Sequence, residues 1–275
     1  MANIHPMAIV DSGATLADDV TVGPFCVVEN DVTIGAGTVL RENVVVRRHT
    51  TLGENNRIDP FVCIGGEPQD LKFDPETVSY VRIGDNNTFR EGVTVNRATT
   101  PGGATTIGSN TYWMQNSHTA HDTTIGDHCI IAGGAMIAGH STIQDRAILS
   151  GCVLIHQFTW IGEMVMAQGR SAAGQHVPPF CLITDVNNVM GLNAVGLRRS
   201  PDISDEDRKQ IKEAFRLTYR AGLTPNEAID AMGACTDWGA QAGKFRDFVR
   251  NAIAAEKPFA RGLCPQRGRD ASRKG

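Results

Sequence analysis

VTVGPFCVVENDVTIGAGTVLRENVVV, residues 20–46, places an aliphatic side chain at Val22, Val28, Ile34, Leu40 and Val46, every sixth position. The row extends upstream through Leu16, Val10 and Ile4 and downstream through Leu52, Ile58 and Ile64. A second row stands four places after each member: Ala8, Ala14, Val20, Cys26, Val32, Thr38, Val44, Thr50, Asn56 and Val62, with Asn56 as the clear polar exception. A period of six fits neither a helix of about 3.6 residues per turn nor a strand of period two. It fits a parallel β-helix, in which each hexad is a short flat strand plus a corner and one large aliphatic points inward. Three hexads then close a triangular coil of eighteen residues, and coils stack at about 4.8 Å.

The register is lost over GGEPQDLKFDPETVSYVR (residues 65–82), returns at Ile83, Phe89 and Val95, and is lost again over ATTPGGATT (residues 98–106). Both gaps read as loops ejected from the coil. From Ile107 the period resumes, and Ile125, Ile131, Ile137, Ile143, Leu149, Ile155 and Ile161 run unbroken to a degenerate end near Ala173. Beyond Arg199 the pattern becomes helical. Ser204 precedes Asp205, Glu206 and Asp207, Thr224-Pro225 gives a second start, and Phe245, Phe248, Val249 and Ala252 have helical spacing. The expected organisation is a mainly β chain: a parallel β-helix over residues 1–199, a small α-helical domain over 200–262 and a disordered tail over 263–275.

The composition, 41% hydrophobic and 20% charged over 275 residues, is that of an ordinary soluble protein. A net charge of −4 argues against nucleic-acid binding, which needs a basic face. MANIHPMAIVDSG at the start has no basic run or long apolar core, and no segment approaches the roughly 18 apolar residues of a membrane span. No stable membrane insertion and a cytoplasmic location are expected. Seven scattered cysteines without a CxxC pair read as reduced apolar fillers.

Residues eighteen apart should stack, which sorts the third hexad position into three columns. One reads Asp127, Asp145, Glu163; stacked carboxylates suggest a solvated face, with no catalytic role. Another reads Gln115, Gly133, Gly151, Gly169, either tight corners or a smooth groove for an apolar chain. The third reads His121, Gly139, Gln157. His121 has Asp122 beside it, with His140 stacked above Asp122. A neutral imidazole can act as general base, and a glycine N–H can approach a developing oxyanion. The pattern suits acyl transfer, and direct transfer, because no nucleophilic Ser or Cys stands beside the base. The plain alternative is a surface histidine in a tolerant repeat.

GGEPQDLKF (65–73), HTAHD (118–122), AGH (138–140), IHQF (155–158), QHVPPF (175–180) and GLNAVGLRR (191–199) carry a resemblance covering nearly the whole chain. It resembles the UDP-N-acetylglucosamine acyltransferases, the first enzymes of lipid A biosynthesis. The resemblance implies a left-handed coil and transfer of an (R)-3-hydroxyacyl chain from the phosphopantetheine of acyl carrier protein to the glucosamine 3-position of UDP-N-acetylglucosamine, with no further cofactor and no metal. It implies His121 as general base, Asp122 in support, Gly139 as oxyanion donor and Gln157 and Lys72 as substrate contacts. Asp70 and His118 match sugar-site positions, and His140 and His156 lie in the same cleft. Asn193, Arg198 and Arg199 fall at the nucleotide-diphosphate end, and Gly169 falls where the family measures chain length. Active sites lie between subunits of a homotrimer in that family.

Two positions depart from the family pattern. Asn96-Arg97-Ala98-Thr99 replaces the usual His-Arg-Gly-Thr, and Val195 stands where an acidic residue is common. Both approach the sugar nucleotide, so a 3-amino acceptor giving an amide is an alternative that keeps Asn96 among the substrate contacts. The same fold hosts trimeric zinc carbonic anhydrases. That reading is weakened because His118 and His121 occupy hexad positions six and three and should point differently, and histidines five apart are missing. A non-catalytic scaffold would need no His121, Gly139, Gln157 column.

Overall fold

The computed structural model describes residues 1–266. Asn3 pairs with Thr21, Ile9 with Val27 and Thr15 with Thr33, each in parallel and eighteen residues on. Repetition of these pairings builds three sheets of 11, 9 and 8 strands among the described residues, called here first, second and third. The sixth-position aliphatics point inward, and Val28, Ile34, Leu40, Ile131 and Leu149 are at most 1% exposed. Each such burial contributes about 1.5–3 kcal/mol. Ile4, on a strand that pairs on one side only among the described residues, is 43% exposed.

Asn56, the polar exception, belongs to an internal ladder. Its Oδ1 accepts from Asn87 N (2.9 Å), Asn87 Oδ1 accepts from Thr111 N (2.8 Å), and the two amides donate to Gly84 O and Gly108 O. Every rung is hydrogen-bonded, so polar side chains survive full burial there.

The two loops obey a simple count. Leu52 pairs with Ile83 and Ile83 with Ile107, thirty-one and twenty-four positions on in place of eighteen. An excess of thirteen moves the inward row by one place; an excess of six leaves its phase unchanged. Residues 65, 66, 80–82 and 104–106 are strand, so both excursions are shorter than the lost register suggests. Buried Arg97 fastens the first loop by donating to Thr77 O (2.7 Å) and Pro75 O (3.1 Å).

Asp127 and Asp145 of the acidic column are exposed, as a solvated face requires, and only Glu163 is buried. Asp145 accepts from Asp127 N (2.9 Å) and Asp127 from Ser109 N (2.7 Å). Glu163, 7% exposed, pairs with Arg146 and with Lys244 Nζ (2.6 Å).

Coiling ends before residue 199. Cys181–Thr184 continues the first sheet, and Asn188–Leu192 turns back antiparallel to it. Helix α1 (Ala194–Arg199) follows, capped by Asn193 and ending in Arg198 and Arg199. Helices α2 (Asp205–Tyr219) and α3 (Pro225–Gly233) begin at capping boxes, Ser204 with Asp207 and Thr224 with Glu227. Helix α4 (Ala240–Ala254) buries Phe245, Phe248, Val249 and Ala252. The chain then returns to the β-helix: Leu263 bridges His176 and Cys264 is fully buried. Residues 263–266 are therefore packed where a disordered tail was expected, and the rest of that expectation, 267–275, lies outside the described residues. No helix among the described residues is long and apolar enough to cross a membrane.

Candidate active site

The outer face of the second sheet and the corner after it form a cavity of about 640 Å³, lined by His118, His121, Gly139, His156 and Gln157 with Met136 and Leu154. A larger cleft, about 840 Å³ between the third sheet and α4, is lined by Trp160, Glu163, Lys244 and Phe248 and contains none of the candidate residues. The chemistry concentrates in the smaller one.

His121 follows the strand His118–Thr119, and its column partners follow the strands stacked on it. Its Nδ1 lies 2.8 Å from Asp122 Oδ2. The Asp122 backbone is left-handed (φ 57°), which turns its carboxylate back toward His121. That oxygen also accepts from Thr99 N (3.1 Å) and Thr99 Oγ1 (2.7 Å). Burial alone would raise the Asp122 carboxyl, yet the hydrogen bonds from His121 and Thr99 hold it below its ordinary value. It is an anion at neutral pH, so His121 Nδ1 carries the proton and Nε2 is left to accept one.

Gly139 is required by this ring. A Cβ there would lie 2.5 Å from His121 Cε1 and 2.8 Å from Nε2. Gly151 and Gly169 differ: an added Cβ meets only Gly133 O at 3.6 Å and Gly151 O at 3.4 Å, ordinary contacts. Corner geometry therefore does not demand glycine at those two positions.

His140 packs face to face on Phe158 (4.6 Å between ring centres, 7°) and edge-on to His121 (5.1 Å). Burial pushes its pKa down, opposed by the charges of Asp122 and Asp70. Its Nε2 is 3.7 Å from Asp122 Oδ2, too long for a hydrogen bond. The donor atoms of His121, Asp122 and His140 lie within 4.8 Å of one another, a set that could hold a metal ion. Asp122 Oδ2 already accepts from three donors, one of them His121 Nδ1, so the cluster is satisfied as a hydrogen-bonded dyad.

His118 lines the same cavity as His121 but is turned to a different partner. Its Nδ1 meets Thr94 Oγ1 at 2.8 Å, and burial lowers its pKa. Asp70 and Lys72 occupy a turn closed by Lys72 N donating to Asp70 Oδ1 (2.9 Å). Asn96 does not line the cavity: its amide donates to Glu67 O (2.9 Å), fastening the first loop. Asn193, Arg198 and Arg199 sit at α1, and Gly169 is at the corner after the first sheet, so one chain does not bring these four into the cavity. Gln69, Asn187 and the Asp122 partner Thr99 were not singled out in the sequence. Gln69, inside GGEPQDLKF, and Thr99, inside Asn96-Arg97-Ala98-Thr99, carry a signal, whereas Asn187 carries none.

Residues 176–264 match the family described as Udp N-acetylglucosamine O-acyltransferase, Domain 2, and residues 13–48 and 104–139 match bacterial transferase hexapeptide repeats. An acyl-[acyl-carrier-protein]–UDP-N-acetylglucosamine O-acyltransferase of Aliarcobacter butzleri is 49% identical over 224 residues, 81% of this chain and 85% of that protein. The enzyme of the same name from Ectopseudomonas mendocina is 42% identical over 91% of this chain and 97% of its own. The solved UDP-N-acetylglucosamine O-acyltransferase of Moraxella catarrhalis superposes with a TM-score of 0.88 at 36% identity, covering 95% of this chain and 99% of that one. The architecture is accordingly the left-handed parallel β-helix with a C-terminal helical region. The chain belongs to the UDP-N-acetylglucosamine O-acyltransferase family.

Proposed function

We propose that this chain transfers an (R)-3-hydroxyacyl group from acyl carrier protein to the glucosamine 3-hydroxyl of UDP-N-acetylglucosamine, the first step of lipid A biosynthesis, with His121 as general base. The observation that carries the reading is the dyad: His121 Nδ1 at 2.8 Å from an ionised Asp122, with the ring lying over Gly139 in the cavity. Nε2 takes the proton of the sugar hydroxyl as its oxygen attacks the thioester carbonyl, and Asp122 stabilises the imidazolium that forms. The Gly139 N–H faces the oxyanion. Collapse breaks the C–S bond, and the thiolate takes the proton from His121 to leave as the carrier thiol.

A homotrimer accounts for the residues one chain leaves apart. Met136 and Leu154 line the cavity while 42% and 53% exposed, a surface that a neighbouring copy would cover. The glycine column lies at a different corner from His121, so a groove shared by both needs a second copy. Asp70, Lys72, His118, His140, His156, Asn193, Arg198 and Arg199 would then contact the sugar nucleotide or the carrier arm, in the cytoplasm. A hydroxyl acceptor is favoured over an amine because the named relatives are O-acyltransferases and Asn96 does not line the cavity. Mass spectrometry of products formed from both sugar nucleotides and carrier-linked chains of several lengths tests this. An ester on UDP-N-acetylglucosamine is expected; product only from the 3-amino sugar would overturn it.

A further inference from the structure

The segment after α4 crosses the end of the β-helix beside the cavity. His176, fully buried, clips it there: Nδ1 accepts from Trp160 N (3.0 Å), so Nε2–H donates to Phe259 O (2.8 Å). Two residues later Arg261 Nε donates to Gly174 O (3.1 Å), and Arg261 Nη2 lies 3.0 Å from His156 Nδ1. Gly174 and His156 both line the cavity.

His156 Nδ1 has two neighbours with opposite demands. Gln157 O, at 3.2 Å, calls for an N–H, whereas Arg261 calls for a lone pair. The guanidinium is a permanent donor without acceptor capacity. Its fork, fixed by the Gly174 carbonyl, therefore decides in favour of the lone pair and leaves the proton on Nε2.

We infer that Arg261 is a positioning residue which holds His156 as the Nε2–H tautomer, making it a hydrogen-bond donor to an oxygen of the bound substrate. Without the guanidinium, Nδ1–H turns to Gln157 O and Nε2 presents a lone pair to that oxygen. The effect on transfer rests on the proposed function, whereas the tautomer does not.

The test is ¹⁵N NMR of the imidazoles in the full-length protein, assigned with His156→Gln, in wild type and Arg261→Met, with steady-state kinetics of both and of Arg261→Lys. Wild type should show Nε2–H at His156, Arg261→Met should move the proton to Nδ1 and lose roughly tenfold or more in kcat/KM, about one ligand hydrogen bond. Arg261→Lys, which keeps a donor, should recover part of the loss. Nδ1–H in wild type, readable even if a variant fails to fold, overturns the inference. So does an unchanged tautomer in Arg261→Met, or a loss that Lys fails to relieve. Inactive wild type with Nε2–H would instead count against the transferase assignment.

Discussion

A single methyl group at Gly139 is a sharp probe of the dyad, because the ring of His121 occupies the space a Cβ would take. Gly139→Ala should displace the imidazole from its line with Asp122 and lower kcat by at least roughly tenfold, since misplacement by about 1 Å can cost a hundredfold. Its backbone is not in the left-handed region, so thermal stability should change little; steady-state kinetics with a melting curve check both. Normal kcat would mean that the His121 position is not critical. The dyad was legible in the sequence because His121, Gly139 and Gln157 share the eighteen-residue spacing and Asp122 is adjacent. Thr99, which holds the Asp122 carboxylate, was not readable from that spacing: it lies in a loop where the spacing is broken.

At the scale of elements, the glycine column and the return segment make separate predictions. Gly169 tolerates a Cβ at 3.4 Å, so Gly169→Met should fold and place its side chain in the proposed groove. Long-chain donors should then lose about tenfold or more in kcat/KM, while donors several methylenes shorter keep or gain activity. Equal loss at all lengths, measured with a carrier-linked series, would remove Gly169 from chain selection. His176 couples the return segment to pH. Burial depresses its pKa, so the unfolded chain binds the proton more readily. Its contribution is complete above the unfolded value of about 6.5 and is lost as pH falls from there toward the folded value. Urea unfolding between pH 5 and 8 should therefore show stability rising with pH more steeply in wild type than in His176→Gln. The comparison isolates His176 from His49, His118 and His140, whose values are also depressed by burial. Equal slopes would contradict the clip. This contact joins residues more than eighty positions apart without periodicity, so the sequence offered only helical spacing before it and no pattern after Ala254.

The whole molecule repeats one coil, and its departures from repetition are where function gathers. Loops of thirteen and six extra residues bring Gln69 to the cavity and Thr99 to the Asp122 carboxylate, and the inward row resumes after each, one place on after the first and in phase after the second, so the fold is readable from the row while site details are not. The proposed trimer predicts a molecular mass three times that of the 29.6 kDa chain by light scattering, and a monomeric, active protein would refute the shared groove. The central claim is that His121 is the general base of acyl transfer. Its most direct test is the rate at which purified His121→Ala moves a 3-hydroxyacyl chain from acyl carrier protein to UDP-N-acetylglucosamine, beside wild type of equal thermal stability. A fall of about a hundredfold to ten-thousandfold is predicted; a rate within a few-fold of wild type would contradict the account.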